Sequence, residues 1–173
     1  GELLKSSDLI KNRLVAGPNC TTVQLVVPLQ ALEKKFKMKR VSVSTYQSIS
    51  GAGAAAVAEF KKNAHAINDN CIPRIGGFNE SGFTSEEVKI MEETKKILGL
   101  PQLKVVATAA RIPIERAHSE SVQVECVERL SMSEIKKTFL ETDSIRFIDD
   151  QEIIQAKNAA HSDSVDVGRV RLD

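Results

Sequence analysis

The first third of the chain contains one helical and one alternating pattern of apolar residues. Apolar side chains recur at helical spacing over residues 21–36, and a Gly-Pro corner followed by the good N-cap Asn19 stands in front of them. Residues 39–47 then alternate, which predicts a strand with one buried face. Gln47 lies in phase with the buried positions, so its amide either ends the strand as a satisfied polar group or orients a substrate.

Further helices and strands follow without regular βαβ units. Helices are predicted over 51–66, 85–98 and 133–140. Strands are predicted over 13–16, 103–112, 119–130, 145–148 and 165–172. The second of these helices has Ser85 as its N-cap and Gly99 as its stop. We therefore expect an α+β fold with a mixed sheet covered by helices.

Two residues with long polar side chains flank a short link that contains Pro113. Arg111 ends a row of small side chains on one predicted strand, and His118 shares the parity of the apolar positions on the next. A tight link predicts a hairpin with both residues at the same end. A lone histidine on an apolar face is commonly structural, but an arginine that can bind a carboxylate through two hydrogen bonds favours a functional site.

Composition excludes several classes of protein. The 173 residues suit one domain with a real core, and 24 basic against 23 acidic residues give a net charge of +1. That balance does not favour bulk nucleic-acid or anionic-membrane binding, and with no Trp, one Tyr and six Phe there is little for bases to stack on. No apolar run approaches a membrane span, and no signal segment opens the chain. Because the first residue is Gly1 rather than Met, we expect a fragment.

The three cysteines are Cys20, Cys71 and Cys126, and they lie far apart. Their odd number and the absence of a CxxC pair make a disulfide scaffold or a zinc site improbable, so no metal and a reducing compartment are expected. Cys20 falls in the first turn of a predicted helix, where unpaired amides and the helix dipole favour a thiolate. The alternative is a small buried hydrophobe.

Two further patterns have both a functional and a structural interpretation. The sequence Gly51-Ala52-Gly53 follows a strand and precedes a helix, but no clear second parallel strand follows, so we reject a complete dinucleotide-binding fingerprint. What remains is a glycine backbone that a ligand can approach closely. Glu86 and Lys89 are neighbours on one helix face, either as a surface ion pair or as site residues.

Four blocks of sequence together resemble the aspartate-semialdehyde dehydrogenase family over nearly the whole chain. The blocks are Gly17-Pro18-Asn19-Cys20-Thr21-Thr22, Ser44 to Gly53, Phe83 to Lys89, and Arg111-Ile112-Pro113-Ile114 followed by His118-Ser119-Glu120. The resemblance implies a largely antiparallel mixed sheet, like the C-terminal domain of glyceraldehyde-3-phosphate-dehydrogenase-like enzymes. It also implies that residues 1–173 form a catalytic and dimerisation domain.

The resemblance implies a role for each candidate residue. The catalytic residues would be Cys20 as nucleophile, His118 as general acid and base, and Gln47 orienting the acyl group. Substrate would be bound by Arg111 at its α-carboxylate, Glu86 at its amino group and Lys89 at its phosphate, with Asn19 shaping the pocket. Ser50, Gly51 and Gly53 would lie against the nicotinamide end of NADP.

The implied reaction is the NADP-dependent reductive dephosphorylation of L-aspartyl 4-phosphate to L-aspartate 4-semialdehyde through a cysteine thioester. The family belongs to lysine, threonine, methionine and diaminopimelate biosynthesis. We therefore expect a cytoplasmic homodimer or higher oligomer that binds small substrates and phosphate, with no nucleic-acid or membrane partner.

Two departures and two alternatives accompany this interpretation. The family's N-terminal NADP-binding domain and closing C-terminal helix have no counterpart here, so the chain alone is expected to be inactive and to bind NADP weakly. Residues 68–77 follow the family pattern only loosely. The alternatives are the related N-acetyl-glutamyl-phosphate reductase and an oligomerisation module without activity.

Overall fold

The computed structural model describes residues 16–63, 67–149 and 151–173. Its helices are α1 (Cys20–Glu33), α2 (Ala54–Lys61), α3 (Ser85–Leu98), α4 (Met132–Leu140) and α5 (Ala156–Ala159), with a 3-10 turn at Ile49–Ala52. Its strands are β1 (Met38–Gln47), β2 (Lys104–Arg111), β3 (Ser119–Cys126), β4 (Ile145–Ile148) and β5 (Val165–Gly168). Within these ranges no helix is both long and apolar enough to cross a membrane.

The strands form two sheets, and the larger one has the order β2-β1-β3. The β1–β3 pair is antiparallel, whereas β1–β2 and the separate β4–β5 pair are parallel. The predicted α+β class with a mixed sheet is confirmed, and the antiparallel component is the β1–β3 ladder. A parallel pair needs a crossover connection, and α3 supplies it between β1 and β2.

The predicted hairpin between residues 103–112 and 119–130 is wrong, because β1 lies between these two strands. The ends of the two strands that carry Arg111 and His118 still lie close together, as expected, but for a different reason. Gln47 is the register partner of Arg111 in β2, and Tyr46 is the partner of Ser119 in β3. Both neighbouring strands therefore meet the carboxyl end of β1, which brings Arg111 and His118 to one edge of the sheet.

Helices cover one face of the larger sheet. Val41 and Val43 of β1 are fully buried against Leu25 and Leu29 of α1 and Ile90 of α3. A second apolar cluster joins the end of α1 to α4 and β4; it contains Ala31, Leu32, Phe36, Ile135, Phe139 and Ile145. The alternation predicted for residues 39–47 is confirmed, since this burial is on every second residue.

The opposite face of the larger sheet carries mostly small or polar side chains, and among the described residues no helix packs on it. We call it the open face; its members are Ser42, Ser44, Tyr46, Val106, Thr108, Ser121 and Gln123. Ser44, Thr108 and Ser121 are exposed neighbours across the three strands. Tyr46 keeps 40% of its surface exposed.

Several predicted boundaries move. The helix predicted over 51–66 divides into the 3-10 turn and α2, because Gly53 between them adopts a φ of 95°. β3 ends at Cys126, the register partner of the first residue of β1, and β5 ends where β4 does. Residues 13–15 of the first predicted strand and residues 64–66 lie outside the described residues.

The N-cap of α3 is Thr84 rather than Ser85. The Thr84 hydroxyl accepts a hydrogen bond from the Glu87 N–H (3.3 Å), and the Glu87 carboxylate accepts one from the Thr84 N–H (2.7 Å). The second oxygen of Glu87 accepts the N–H of Ala109 in β2 (2.9 Å). One buried carboxylate therefore fixes the start of α3 to the sheet.

Candidate active site

The first residue of α1 is Cys20, and its side chain reaches solvent. Asn19 caps the helix as predicted, with its Oδ1 accepting hydrogen bonds from the N–H groups of Thr21 (3.0 Å) and Thr22 (3.3 Å). The thiol therefore sits at a helix start whose geometry is fixed by a side-chain cap.

Two carboxylates of α3 hold the start of α1 in place. Asn19 Nδ2 donates to Glu86 Oε1 at 2.8 Å, and the Asn19 backbone N–H donates to Glu93 Oε2 at 2.7 Å. Glu86 and Glu93 are two turns apart and share one helix face. Glu93 was not among the predicted site residues. Its seven-residue spacing from Glu86 was a readable signal.

The ends of β1, β2 and β3 meet at Ser48. The Ser48 N–H donates to His118 Nδ1 at 3.0 Å, and Arg111 Nη1 donates to the Ser48 carbonyl oxygen at 2.7 Å. Because Nδ1 accepts this bond, the neutral imidazole carries its proton on Nε2. Ser48 was not predicted as a site residue, although it directly follows Gln47.

The backbone of Arg111 is fixed on the outer side of the sheet as well. Ile72, from the loop before α3, exchanges two backbone hydrogen bonds of 2.9 Å with Arg111. With β1 on one side and Ile72 on the other, the guanidinium starts from a rigid position.

Cys20, Glu86, Arg111 and His118 form one electrostatic cluster. Burial raises the pKa of the Cys20 thiol, and the negative charge of Glu86 raises it further. Hydrogen bonding to the backbone N–H groups of Thr21 and Cys20 and the charge of Arg111 lower that pKa without reversing the shift. The expectation that the helix start would favour the thiolate is therefore wrong for this state of the protein.

The basic members of the cluster shift in the other direction. Burial lowers the pKa of His118, and the Arg111 charge lowers it further, whereas Glu86 opposes the shift. Burial also lowers the pKa of Arg111, with Glu86 and Cys20 opposing. The imidazole is therefore neutral at physiological pH.

The glycine segment after β1 borders this cluster. A Cβ on Gly51 would lie 3.0 Å from Arg111 Nη1 and 3.5 Å from His118 Cε1, whereas one on Gly53 would meet open space. The Ser50 N–H donates to the Glu115 carbonyl (3.0 Å). The structure thus brings the backbone at Gly51 beside both predicted site residues, with room for a ligand over Gly53.

Gln47 and Lys89 are placed differently from the cluster. Gln47 is 1% exposed at the end of β1, and its Nε2 donates to Thr45 Oγ1 at 3.2 Å. Lys89 is exposed on α3, where Glu86 bonds to Asn19 rather than to Lys89. Both roles stay predictions.

Neutralising Glu86 is expected to make Cys20 more reactive. In Glu86→Gln the amide oxygen can still accept the Asn19 bond, but the charge that raises the thiol pKa is gone. We expect iodoacetamide to alkylate Cys20 about two- to fivefold faster at neutral pH. Peptide mapping measures this rate against that of the exposed Cys71 in the same sample.

The matched control is Glu92→Gln, an exposed carboxylate on the same helix that pairs with Lys95. It should leave the rate unchanged. A Glu86→Gln protein whose Cys20 reacts no faster than that of the control would contradict the electrostatic cluster.

Residues 29–173 match the protein family described as "Semialdehyde dehydrogenase, dimerisation domain". The chain is 36% identical over 189 residues to an aspartate-semialdehyde dehydrogenase of Bacillus subtilis, with 94% of this chain and 54% of that protein covered. It is 37% identical over 185 residues to the Aquifex aeolicus protein of the same name, with 96% and 54% covered. The chain spans about half the length of the curated relatives it matches.

The solved structures that resemble this chain include members of the same family. The crystal structure of aspartate semialdehyde dehydrogenase II complexed with ASA from Vibrio cholerae has a TM-score of 0.91 at 32% identity, with 96% of this chain and 55% of that one covered. The Candida albicans aspartate semialdehyde dehydrogenase with NADP has a TM-score of 0.71 at 26% identity, with 90% and 48% covered.

Proposed function

The chain belongs to the semialdehyde dehydrogenase family, and from this premise we propose that it forms the catalytic and dimerisation domain of an NADP-dependent aspartate-semialdehyde dehydrogenase. The observation that carries the proposal is the cluster of a solvent-accessible thiol, a carboxylate, a guanidinium and a neutral imidazole at one sheet edge. The reaction is the reductive dephosphorylation of L-aspartyl 4-phosphate to L-aspartate 4-semialdehyde.

Cys20 is the nucleophile in this mechanism. Its sulfur loses the thiol proton to solvent and attacks the acyl carbon of aspartyl phosphate as a thiolate. A C–S bond forms and the C–O bond to phosphate breaks, which leaves an aspartyl thioester and inorganic phosphate. NADPH supplies the hydride that reduces the thioester carbon. His118 then handles the proton: the imidazole takes up a proton from solvent, the resulting imidazolium protonates the oxyanion of the thiohemiacetal, and the imidazole takes that proton back as the C–S bond breaks and the aldehyde leaves.

The charges of the cluster suit an amino-acid substrate. One nitrogen of Arg111 is occupied by the Ser48 carbonyl, and the remaining N–H donors can bind an α-carboxylate. Glu86 suits the α-ammonium group, Asn19 lies between Glu86 and Cys20, and Lys89 is the proposed phosphate contact. An ammonium bound at Glu86 would also offset the charge that raises the thiol pKa, so substrate binding would favour the thiolate.

The charge of Glu86 in this cluster favours aspartyl phosphate over the substrate of the alternative enzyme, N-acetyl-glutamyl-phosphate reductase. N-acetyl-glutamyl phosphate carries an uncharged amide where aspartyl phosphate carries an ammonium, so the carboxylate of Glu86 would lose its partner. The test is nicotinamide reduction by the protein expressed from its complete reading frame, with aspartate semialdehyde and phosphate against N-acetylglutamate semialdehyde and phosphate. We expect at least about 100-fold higher kcat/KM for the first pair. A preference for the acetylated aldehyde would overturn the assignment.

The residues proposed for the nicotinamide are Ser50, Gly51 and Gly53. The open space at Gly53 and the bare backbone of Gly51 beside His118 fit the flat edge of a ring near the reacting carbon. Gln47 is proposed to orient the acyl group from the buried end of β1. Weak NADP binding and lack of turnover by the 173 residues alone stay predictions, to be tested by calorimetry with NADPH.

We also propose a cytoplasmic place for this reaction, in the synthesis of lysine, threonine, methionine and diaminopimelate from aspartate. Cysteine usage supports the compartment, since Cys20, Cys71 and Cys126 are all unpaired thiols. The oligomeric proposal is a homodimer or a higher homo-oligomer.

The open face is the proposed contact between two copies of the chain. It is a sheet face with exposed Tyr46 and, within the described residues, no helix over it, and the matching family is described as a dimerisation domain. Ser44→Arg places a charge among small side chains at its centre. We expect the dimer dissociation constant to rise about 100-fold or more, since an unpaired charge buried in an interface costs several kcal/mol.

Light scattering across a concentration series measures this change. The control is Glu141→Arg, at the exposed C-terminal end of α4 and outside the residues of the open face, which should leave the dimer intact. A Ser44→Arg protein that remains a dimer as tight as this control would exclude the open face as the contact.

A further inference from the structure

One hydrogen bond joins the helix that begins with the nucleophile to the strand that begins beside the imidazole. Gln24 lies one turn after Cys20 in α1, and its Nε2 donates to Glu120 Oε1 at 2.9 Å. Glu120 lies two residues after His118 on the helix-facing side of β3, opposite Thr45 of β1. Neither Gln24 nor Glu120 has a role in the mechanism above.

The surroundings of Glu120 are unusual for a carboxyl group. Burial raises the pKa of Glu120 to about 8, and the Gln24 amide only partly opposes this shift. Cys20 lies four residues before Gln24 on α1, His118 lies two residues before Glu120, and β1 presents uncharged Thr45 opposite Glu120. Glu120 therefore keeps its proton to a much higher pH than an ordinary glutamate, and it is held between helix and sheet by an amide rather than by an ion pair.

Such a bond is sensitive to the loss of either partner. A half-buried amide or carboxyl left without its partner costs more than the bond itself contributes, which favours a shift of α1 or entry of water when one side chain is removed. A shift of α1 moves Cys20 relative to the Ser48–His118–Arg111 edge. Displacements of about 1 Å in a reacting group can cost about a hundredfold in rate.

We propose that the Gln24–Glu120 hydrogen bond sets the position of Cys20 relative to His118, so that both residues are positioning residues for the thioester chemistry. This inference rests on the proposed function for its activity readout. Gln24 and Glu120 do not touch the substrate in this proposal; they act through the placement of α1 against β3.

The test uses the protein expressed from its complete reading frame with Gln24→Leu, Glu120→Leu, their combination, and Glu120→Gln. Each leucine variant is expected to lower kcat about 10- to 100-fold while KM for aspartate semialdehyde stays within about twofold. The double variant should be no worse than the weaker single one, because the two side chains act as one unit. Glu120→Gln keeps an oxygen for the Gln24 bond and should retain kcat within about threefold.

The control is Gln30→Leu, a half-exposed glutamine on the same helix, which should leave kcat unchanged. Losses that add in the double variant, a Glu120→Gln protein as slow as Glu120→Leu, or unaltered kcat in both leucine variants would each overturn the proposal. A thermal melt of each variant shows whether a loss of kcat comes from unfolding or from displacement of Cys20. A leucine variant that is folded and keeps full kcat counts against the proposal.

A substrate-independent readout separates this inference from the proposed function. The pH midpoint of iodoacetamide alkylation of Cys20 depends on its distances from Glu86 and Arg111. It should shift in the leucine variants and not in Glu120→Gln. An inactive wild-type protein with this pattern would refute the proposed function and leave the positioning bond standing, whereas an active protein without it would refute only the bond.

Discussion

Replacing Cys20 by serine is expected to lower kcat by at least about 10⁴-fold, because the proposed thioester requires sulfur as its nucleophile. A serine hydroxyl in the same place stays protonated near neutral pH and is a weaker nucleophile than a thiolate. The ester that it would form is also less reactive toward hydride than a thioester. The cap from Asn19 does not depend on the Cys20 side chain, so the start of α1 should remain intact. The measurement is the steady-state rate of nicotinamide reduction in the protein from the complete reading frame.

Cys71→Ser is the matched control, since Cys71 is also an exposed, unpaired thiol but lies in the loop before α3. It should leave turnover unchanged. If Cys20→Ser retained more than about 1% of wild-type kcat, or if Cys71→Ser were the inactive variant, the covalent mechanism would be refuted.

Replacing His118 by asparagine is expected to lower kcat by about 10²- to 10⁴-fold. The asparagine Oδ1 can still accept the Ser48 N–H that Nδ1 accepts in the wild type, so the sheet edge is preserved. What is lost is the imidazole that gives and takes back the proton, which burial and Arg111 keep neutral in the resting protein by lowering the His118 pKa. Initial phosphate release from aspartyl phosphate should be affected less than aldehyde formation, because Cys20 carries out the first step.

His161→Asn is the control, as His161 is exposed beyond α5. Rapid-quench measurement of phosphate release alongside steady-state turnover separates the two steps. Equal loss in both steps would place His118 in thiol activation instead of proton transfer to the oxyanion.

Much of the site was readable from local patterns. The Gly-Pro corner and Asn19 predicted the helix start at Cys20, and alternation predicted that Gln47 ends a strand with its side chain buried. These features depend on residues within a few positions of one another, which is the range over which capping and strand periodicity act. The capping box of Thr84 and Glu87 was equally local, and the choice of Ser85 overlooked it.

What the patterns did not reveal depends on contacts between distant parts of the chain. The insertion of β1 between β2 and β3 follows from a parallel pairing that no short motif specifies. The raised pKa of Cys20 comes first from burial and then from Glu86, on a different helix. The local amides at the start of α1 lower the thiol pKa, but by less than burial and the charge of Glu86 raise it.

The covalent intermediate is the central claim, and peptide mass spectrometry tests it most directly. The protein from the complete reading frame is incubated with NADP and aspartate semialdehyde, without phosphate, and quenched in acid. We predict an aspartyl group on the peptide that contains Cys20, removed by hydroxylamine and absent from the Cys20→Ser protein. An active enzyme with no acyl group on that peptide, or with the group on Cys71 or Cys126, would contradict the account.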